Sequence, residues 1–113
     1  MFVGGSNLLR IGTDAFHQCT ALRDVVLPSV KELCDNCFQD SGIQKIVLPT
    51  NLETIGKNAF KNCVSLAMVL FDRGSNLRKI GEYAFSGCRR LNEIYLPNKL
   101  ESIGDYCFNG CPL

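Results

Sequence analysis

The sequence has no long hydrophobic run, no excess of charge of one sign and only one histidine. Its longest unbroken apolar stretch covers residues 66–71, far fewer than the roughly 20 residues of a membrane-spanning helix. Twelve Lys and Arg against eleven Asp and Glu leave a net charge of +1. We therefore expect no nucleic-acid binding and no membrane insertion. Residues 1–5 have no basic start and no apolar region, so no signal peptide is visible.

Motifs for catalysis are also missing. Neither G-x-S-x-G nor H-E-x-x-H occurs, and the glycine turns at residues 4–7 and 74–76 lack the length and the lysine of a phosphate loop. His17 follows Phe16 at a position where other copies of the repeat described below carry Gln, Lys, Ser or Asn. A solvated surface histidine is therefore expected. The sequence predicts a protein that is not an enzyme and that holds no metal and no cofactor.

A repeated motif covers nearly the whole chain. The segment I-G-T-D-A-F-H-Q-C at residues 11–19 recurs, with substitutions, from residues 33, 55, 80 and 103. The aligned phenylalanines, spaced by 22, 22, 25 and 23 residues, are Phe16, Phe38, Phe60, Phe85 and Phe108. Periods of this length indicate a solenoid. Because one unit cannot bury its apolar side alone, we expect the coils to stack and the phenylalanines to form one internal column.

Each unit also carries an alternating stretch, L-x-x-I-x-L or a close variant, at residues 22–27, 43–48, 66–71 and 91–96. This pattern favours a short strand, and strands contributed once per coil run parallel. The stretch G-x-x-A-F-x-x-C predicts about one helical turn, with Asp14, Asp35 and Asp105 near its start. The predicted fold class is an α/β solenoid of four to five coils, with a parallel sheet on one face and short helical turns.

The combination of I-G-x-x-A-F-x-x-C with L-x-x-I-x-L-P resembles the BspA-like leucine-rich repeats, from about Leu8 to Cys111. The resemblance implies a right-handed, curved solenoid. It also implies a surface or secreted protein with adhesin-like binding to host or matrix proteins, and it transfers no catalytic residues. The chain departs from the commoner leucine-rich pattern because it lacks an asparagine ladder, and only Asn51 stands in that slot.

Both ends of the sequence fall inside repeats. Residues 2–8 match residues 71–77, and both segments end in G-S-N-L. Leu113 stands where the next strand should begin. We therefore expect residues 1–113 to form a single domain that is a piece of a longer array. Solenoid ends without polar capping units expose apolar groups and strand edges, which predicts end-to-end self-association.

All seven cysteines fit the repeat. Six occupy positions expected inside as small apolar groups, namely Cys19, Cys37, Cys63, Cys88, Cys107 and Cys111. Cys34 replaces the glycine of the I-G pair. An odd count favours free thiols over a disulfide framework. Cys34 and Cys37 form a C-x-x-C pair that allows a redox or zinc interpretation, but the repeat already dictates both positions, so we prefer a structural role.

The outward positions of the strands are where function is expected, because the repeat leaves them variable. One apolar row with an adjacent methionine forms the candidate protein-binding surface: Val26, Val47, Met68, Leu70 and Tyr95. Two interpretations stay open. The row is either a protein-binding patch or a consequence of strand propensity alone.

Basic residues concentrate late in the chain. Residues 73–99 contain six basic and two acidic residues. The candidate basic patch, which suits a sulfated glycan or an acidic protein, consists of Arg78, Lys79, Arg89 and Arg90; surface scatter is the alternative. The predicted function is a non-catalytic protein-binding module of an adhesin-like surface or secreted protein. The alternative is a structural spacer or intracellular scaffold segment with no ligand of its own.

Overall fold

The chain winds into a solenoid, described for residues 9–113 by a computed structural model. Its strands are β1 (Arg10–Ile11), β2 (Asp24–Val26), β3 (Glu32–Leu33), β4 (Lys45–Leu48), β5 (Thr54–Ile55), β6 (Met68–Phe71), β7 (Lys79–Ile80) and β8 (Ser102–Ile103). They form two parallel sheets, a five-stranded one in the order β1-β3-β5-β7-β8 and a three-stranded one in the order β2-β4-β6. The three-stranded sheet is the one predicted, whereas the five-stranded sheet at the I-G motifs was not foreseen.

The predicted helical turns are wrong, because residues 9–113 contain turns but no helix. Each turn between the sheets holds two residues with left-handed backbone, such as Asn58 (φ 60°) and Asn62 (φ 59°) in the third coil. A right-handed helix cannot contain residues with φ near +60°. The backbone instead presents alternate N–H groups to the next coil. Phe60 N, for example, donates to Ala84 O at 2.7 Å.

The predicted phenylalanine column is confirmed. The rings stack through the described chain with centroid separations of 5.2, 5.3, 5.1 and 5.6 Å, in the order Phe16, Phe38, Phe60, Phe85 and Phe108. The three central rings are fully buried, together with inward leucine and isoleucine side chains of both sheets. One continuous core therefore runs along the solenoid axis and holds the two sheets rigidly apart.

The strand predicted at residues 91–96 does not form. β6 is the last strand of its sheet, and among the described residues no backbone hydrogen bond joins residues 92–96 to β6. The link after β6, residues 72–78, is two residues longer than the link after β4, residues 49–53. The register is regained directly after it, because β7 pairs with β5. The fourth coil nevertheless follows β6 without a ladder.

Candidate protein-binding surface

The three-stranded sheet aligns most of the predicted row. The strand register places Val26 beside Val47 and Val47 beside Leu70. Their exposed fractions are 79%, 38% and 39%. The alternate residues Val25, Ile46 and Val69 are buried, so the alternation expected from the sequence is present. The sheet therefore holds a row of apolar side chains in solvent on a fixed backbone.

Tyr95 follows this row in the fourth coil, and Met68 lies beside the row, in register with Lys45. Tyr95 is 76% exposed and Met68 is 47% exposed. The Tyr95 hydroxyl donates to Glu93 Oε2 at 3.3 Å. Between β6 and the unpaired segment lies a cleft of about 40 Å³, which Met68, Leu70 and Tyr95 help to line. The missing ladder thus leaves an apolar opening in the surface.

A larger pocket of about 340 Å³ adjoins the end of β6, and Tyr95 lines it as well as the cleft. Its walls include Phe71, Leu96, Arg73 and Lys99. No acidic side chain of residues 9–113 forms an ion pair with either of these cations. Arg73 and Lys99 were counted in the basic stretch of the sequence but not recognised as site residues. The sequence signal that could have identified this site is the longer loop after β6, in which Arg73 lies.

The four residues of the candidate basic patch lie on two different elements. Arg78 directly precedes β7, and Lys79 is its first residue. Arg78 Nε lies 4.0 Å from Glu101 Oε2. Arg89 and Arg90 are exposed in the turn that precedes the unpaired segment. The basic residues are therefore divided between the five-stranded sheet and the turn at the start of residues 91–96.

Most of the cysteine thiols are buried inside the coils. Cys63 Sγ donates to Phe38 O at 3.0 Å, and burial raises the pKa of Cys63 to about 11. Burial also raises the pKa of Cys37 well above its ordinary value, and burial and Glu32 together raise the pKa of the half-buried Cys34. A raised pKa disfavours the nucleophilic thiolate. The C-x-x-C pair accordingly has the properties of structural thiols.

All seven cysteines are unpaired in the described chain. Four are buried, while Cys19, Cys34 and Cys111 are half-buried. The expectation that Cys19 and Cys111 lie fully inside is therefore only partly met. His17 contacts the next coil, with its Nε2 3.5 Å from Asp40 Oδ2. Within residues 9–113 no group of three or more potential metal ligands comes together, and no helix has the length and apolarity to cross a membrane.

The repeat pattern also matches a known family. A family model for the BspA type leucine-rich repeat region matches residues 2–113 in six copies. The chain belongs to the BspA-type leucine-rich repeat family. The predicted resemblance is confirmed.

Solved structures of bacterial leucine-rich repeat proteins share the fold. The pneumococcal vaccine antigen PcpA is 28% identical with a TM-score of 0.72, over 74% of this chain and 21% of that one. A Bacteroides ovatus protein is 31% identical with a TM-score of 0.69, over 78% of this chain and 25% of that one. The T. pallidum protein TpLRR is 32% identical with a TM-score of 0.65, over 72% and 40% of the two chains. The BspA-type chain thus spans less than half the length of these three proteins. No curated protein matches it.

Proposed function

We propose that this BspA-type chain is a non-catalytic protein-binding module that acts through the exposed row of the three-stranded sheet. The observation that carries the proposal is the alignment of exposed apolar side chains on a rigid sheet. Strand propensity accounts for the β-branched Val26 and Val47, but Met68 and Leu70 are not residues that strands favour. Large apolar side chains held in solvent are typical of protein interaction sites.

The five-stranded sheet is a weaker candidate, because the first residue of each of its strands is polar or charged: Arg10, Glu32, Thr54, Lys79 and Ser102. Arg10 Nε lies 3.8 Å from Glu32 Oε1 on the next coil, and Arg78 and Glu101, which directly precede β7 and β8, pair similarly. Such exposed pairs are characteristic of a solvated surface and contribute little to stability. The apolar three-stranded sheet is therefore the surface that we assign to binding.

We place the module in an adhesin-like surface or secreted protein whose partner is a host or matrix protein. Its family and its similarity to a pneumococcal vaccine antigen support this context. The alternative, a spacer or intracellular scaffold segment, requires that every outward position tolerate substitution. A binding module instead requires a few intolerant positions on one surface.

Binding to immobilised fibronectin, fibrinogen, laminin and collagen, measured by biolayer interferometry, tests the proposal. We expect saturable binding to at least one of them, and a loss of at least tenfold in affinity for Leu70→Asp combined with Tyr95→Asp. Val64→Asp is the matched control, because Val64 is also exposed (50%) but precedes β6. Circular dichroism and thermal unfolding establish that each variant is folded. Equal binding by both variants, or no binding to any of the four proteins, would favour the spacer.

A further inference from the structure

We propose that the gap between the third and fourth coils is a two-part site for a partner segment that presents an apolar side chain and, a few positions away, an acidic one. The inference rests on the proposed function and adds the chemistry of the partner. The two parts are the apolar cleft between β6 and residues 93–95 and the basic pocket beyond Phe71. Both were created where the repeat departs from its own pattern.

The apolar part exists because residues 92–96 form no ladder with β6. In the preceding coils, parallel pairing closes the corresponding space, as between β4 and β6. Here the cleft of about 40 Å³ is lined by Ala67, Met68, Leu70 and Ile94. A cavity needs roughly 10–15 Å³ on this measure to hold one water molecule, so the cleft admits the end of one aliphatic side chain. The thioether of Met68 adapts readily to the shape of such a group.

The basic part has two cations without a carboxylate partner. Lys99 Nζ donates only to the neutral Asn76 Oδ1, at 2.9 Å, and Arg73 has no ion pair within residues 9–113. The acidic residue in the pocket wall, Asp72, already accepts a hydrogen bond from Thr50 Oγ1 at 3.3 Å. The pocket wall thus contains two cations that form no ion pair and one carboxylate, which leaves it with a net positive charge. Charge-assisted hydrogen bonds to a guanidinium and an ammonium favour a carboxylate ligand there.

The two parts belong to one ligand because Tyr95 lines both. Glu93 lines only the cleft, and its charge repels an acidic group at that end. The placement of the ligand's two groups is thereby defined, with the apolar group over the cleft and the acidic group at the pocket. Because Arg73 and Lys99 are both exposed, a chain can continue past the pocket. We therefore assign the carboxylate to a side chain within the partner segment rather than to its carboxyl terminus.

Selection from a phage-displayed library of random dodecapeptides on the immobilised chain tests the inference. We expect enriched sequences in which an aliphatic residue stands a few positions from Asp or Glu. A synthetic, amidated peptide of the enriched sequence should bind at least tenfold more weakly to the variant Arg73→Glu with Lys99→Glu. Replacing its acidic residues with lysine should restore part of that loss. Lys31→Glu with Lys57→Glu is the matched control, because both lysines are exposed and lie outside both parts of the site, and it should leave the affinity unchanged.

Several outcomes would overturn the inference. These are no enrichment, enrichment without acidic residues, binding that charge reversal at Arg73 and Lys99 does not alter, and binding only by peptides with a free terminal carboxylate. If charge reversal impairs folding, the milder Arg73→Gln with Lys99→Gln should still weaken binding at least threefold, and unchanged binding would be decisive against the site. Peptides or matrix proteins that lose binding with Leu70→Asp but not with these variants would leave the proposed function standing and remove only this inference.

Discussion

The rings of Phe38 and Phe60 stack with their centroids 5.3 Å apart and their planes within 3° of parallel. Phe60 makes a second stack on Phe85 at 5.1 Å, so one side chain joins three coils. We expect Phe60→Ala to lower the free energy of unfolding by about 3–5 kcal/mol, the range for truncating a buried phenylalanine. Urea unfolding followed by circular dichroism measures the change.

Phe108 is the internal control for that experiment. It stacks on Phe85 and is only partly buried, so Phe108→Ala should cost clearly less than Phe60→Ala. Equal losses of unfolding free energy at the two positions would contradict the expectation that the fully buried Phe60 contributes more than the partly buried Phe108.

Close contact between coils makes Gly81 intolerant of a side chain. A Cβ at this position would lie 2.6 Å from Lys57 N and 2.7 Å from Gly56 C. Backbone atoms cannot yield as a flexible side chain can, so we expect Gly81→Ala to destabilise the fold by about 1–3 kcal/mol through overpacking. Gly12→Ala is the matched control, because a Cβ there would have no atom of the described residues within 4 Å apart from its own chain neighbours. Thermal unfolding of both variants measures the difference, and a larger loss at Gly12 would contradict the packing argument.

Buried thiols should make the fold sensitive to alkali. Burial raises the pKa of Cys63 from 9.0 to about 11. Above pH 9 the unfolded chain therefore loses this proton while the folded chain keeps it. Stability contributed by the neutral thiol is complete below pH 9 and is lost as the pH rises toward 11. The shift corresponds to about 2–3 kcal/mol for this one group.

The variant Cys63→Ser tests the assignment, because the equivalent position of the second coil is already a serine, Ser41. Serine does not titrate in this range, so the loss of stability between about pH 8 and pH 11 should be smaller in the variant than in the parent. Urea unfolding at a series of pH values measures it. An identical pH dependence in the two proteins would remove Cys63 as a contributor.

The face of the fifth coil that points away from the fourth should bind another copy of the chain. The N–H groups of Phe85 and Gly87 donate to the fifth coil, whereas those of Phe108 and Gly110 have no acceptor in residues 9–113. Tyr106 on the same coil is 64% exposed. Unpaired donors beside apolar side chains favour edge-to-edge association. Sedimentation velocity from micromolar to millimolar concentration should show self-association that Tyr106→Lys reduces. A monomer throughout would contradict it.

The solenoid could be predicted from the sequence because its main determinant is periodic. Phe38 and Phe60 occupy equivalent positions of consecutive units, and only stacked coils can bury both rings in one core. The outward row was predictable for the same reason, since alternation along a strand assigns Val47 and Leu70 to one surface. The helical turns were predicted wrongly because the apolar spacing of the turn fits helical periodicity as well. The left-handed backbone at Asn58 and Asn62 depends on hydrogen bonds to the next coil, which no local pattern reports.

The amino-acid sequence alone determined the family, the stacking of coils and which side chains face the core, because these properties follow from residue types repeated at a regular interval. The tertiary structure decided what happens in the fourth coil. Residues 92–96 form no ladder with β6, a cleft opens beside Leu70, and the longer loop after β6 places Arg73 in one pocket with Lys99. Residues that are distant in sequence become neighbours only through the register between coils. That register depends on how each coil packs on the preceding one.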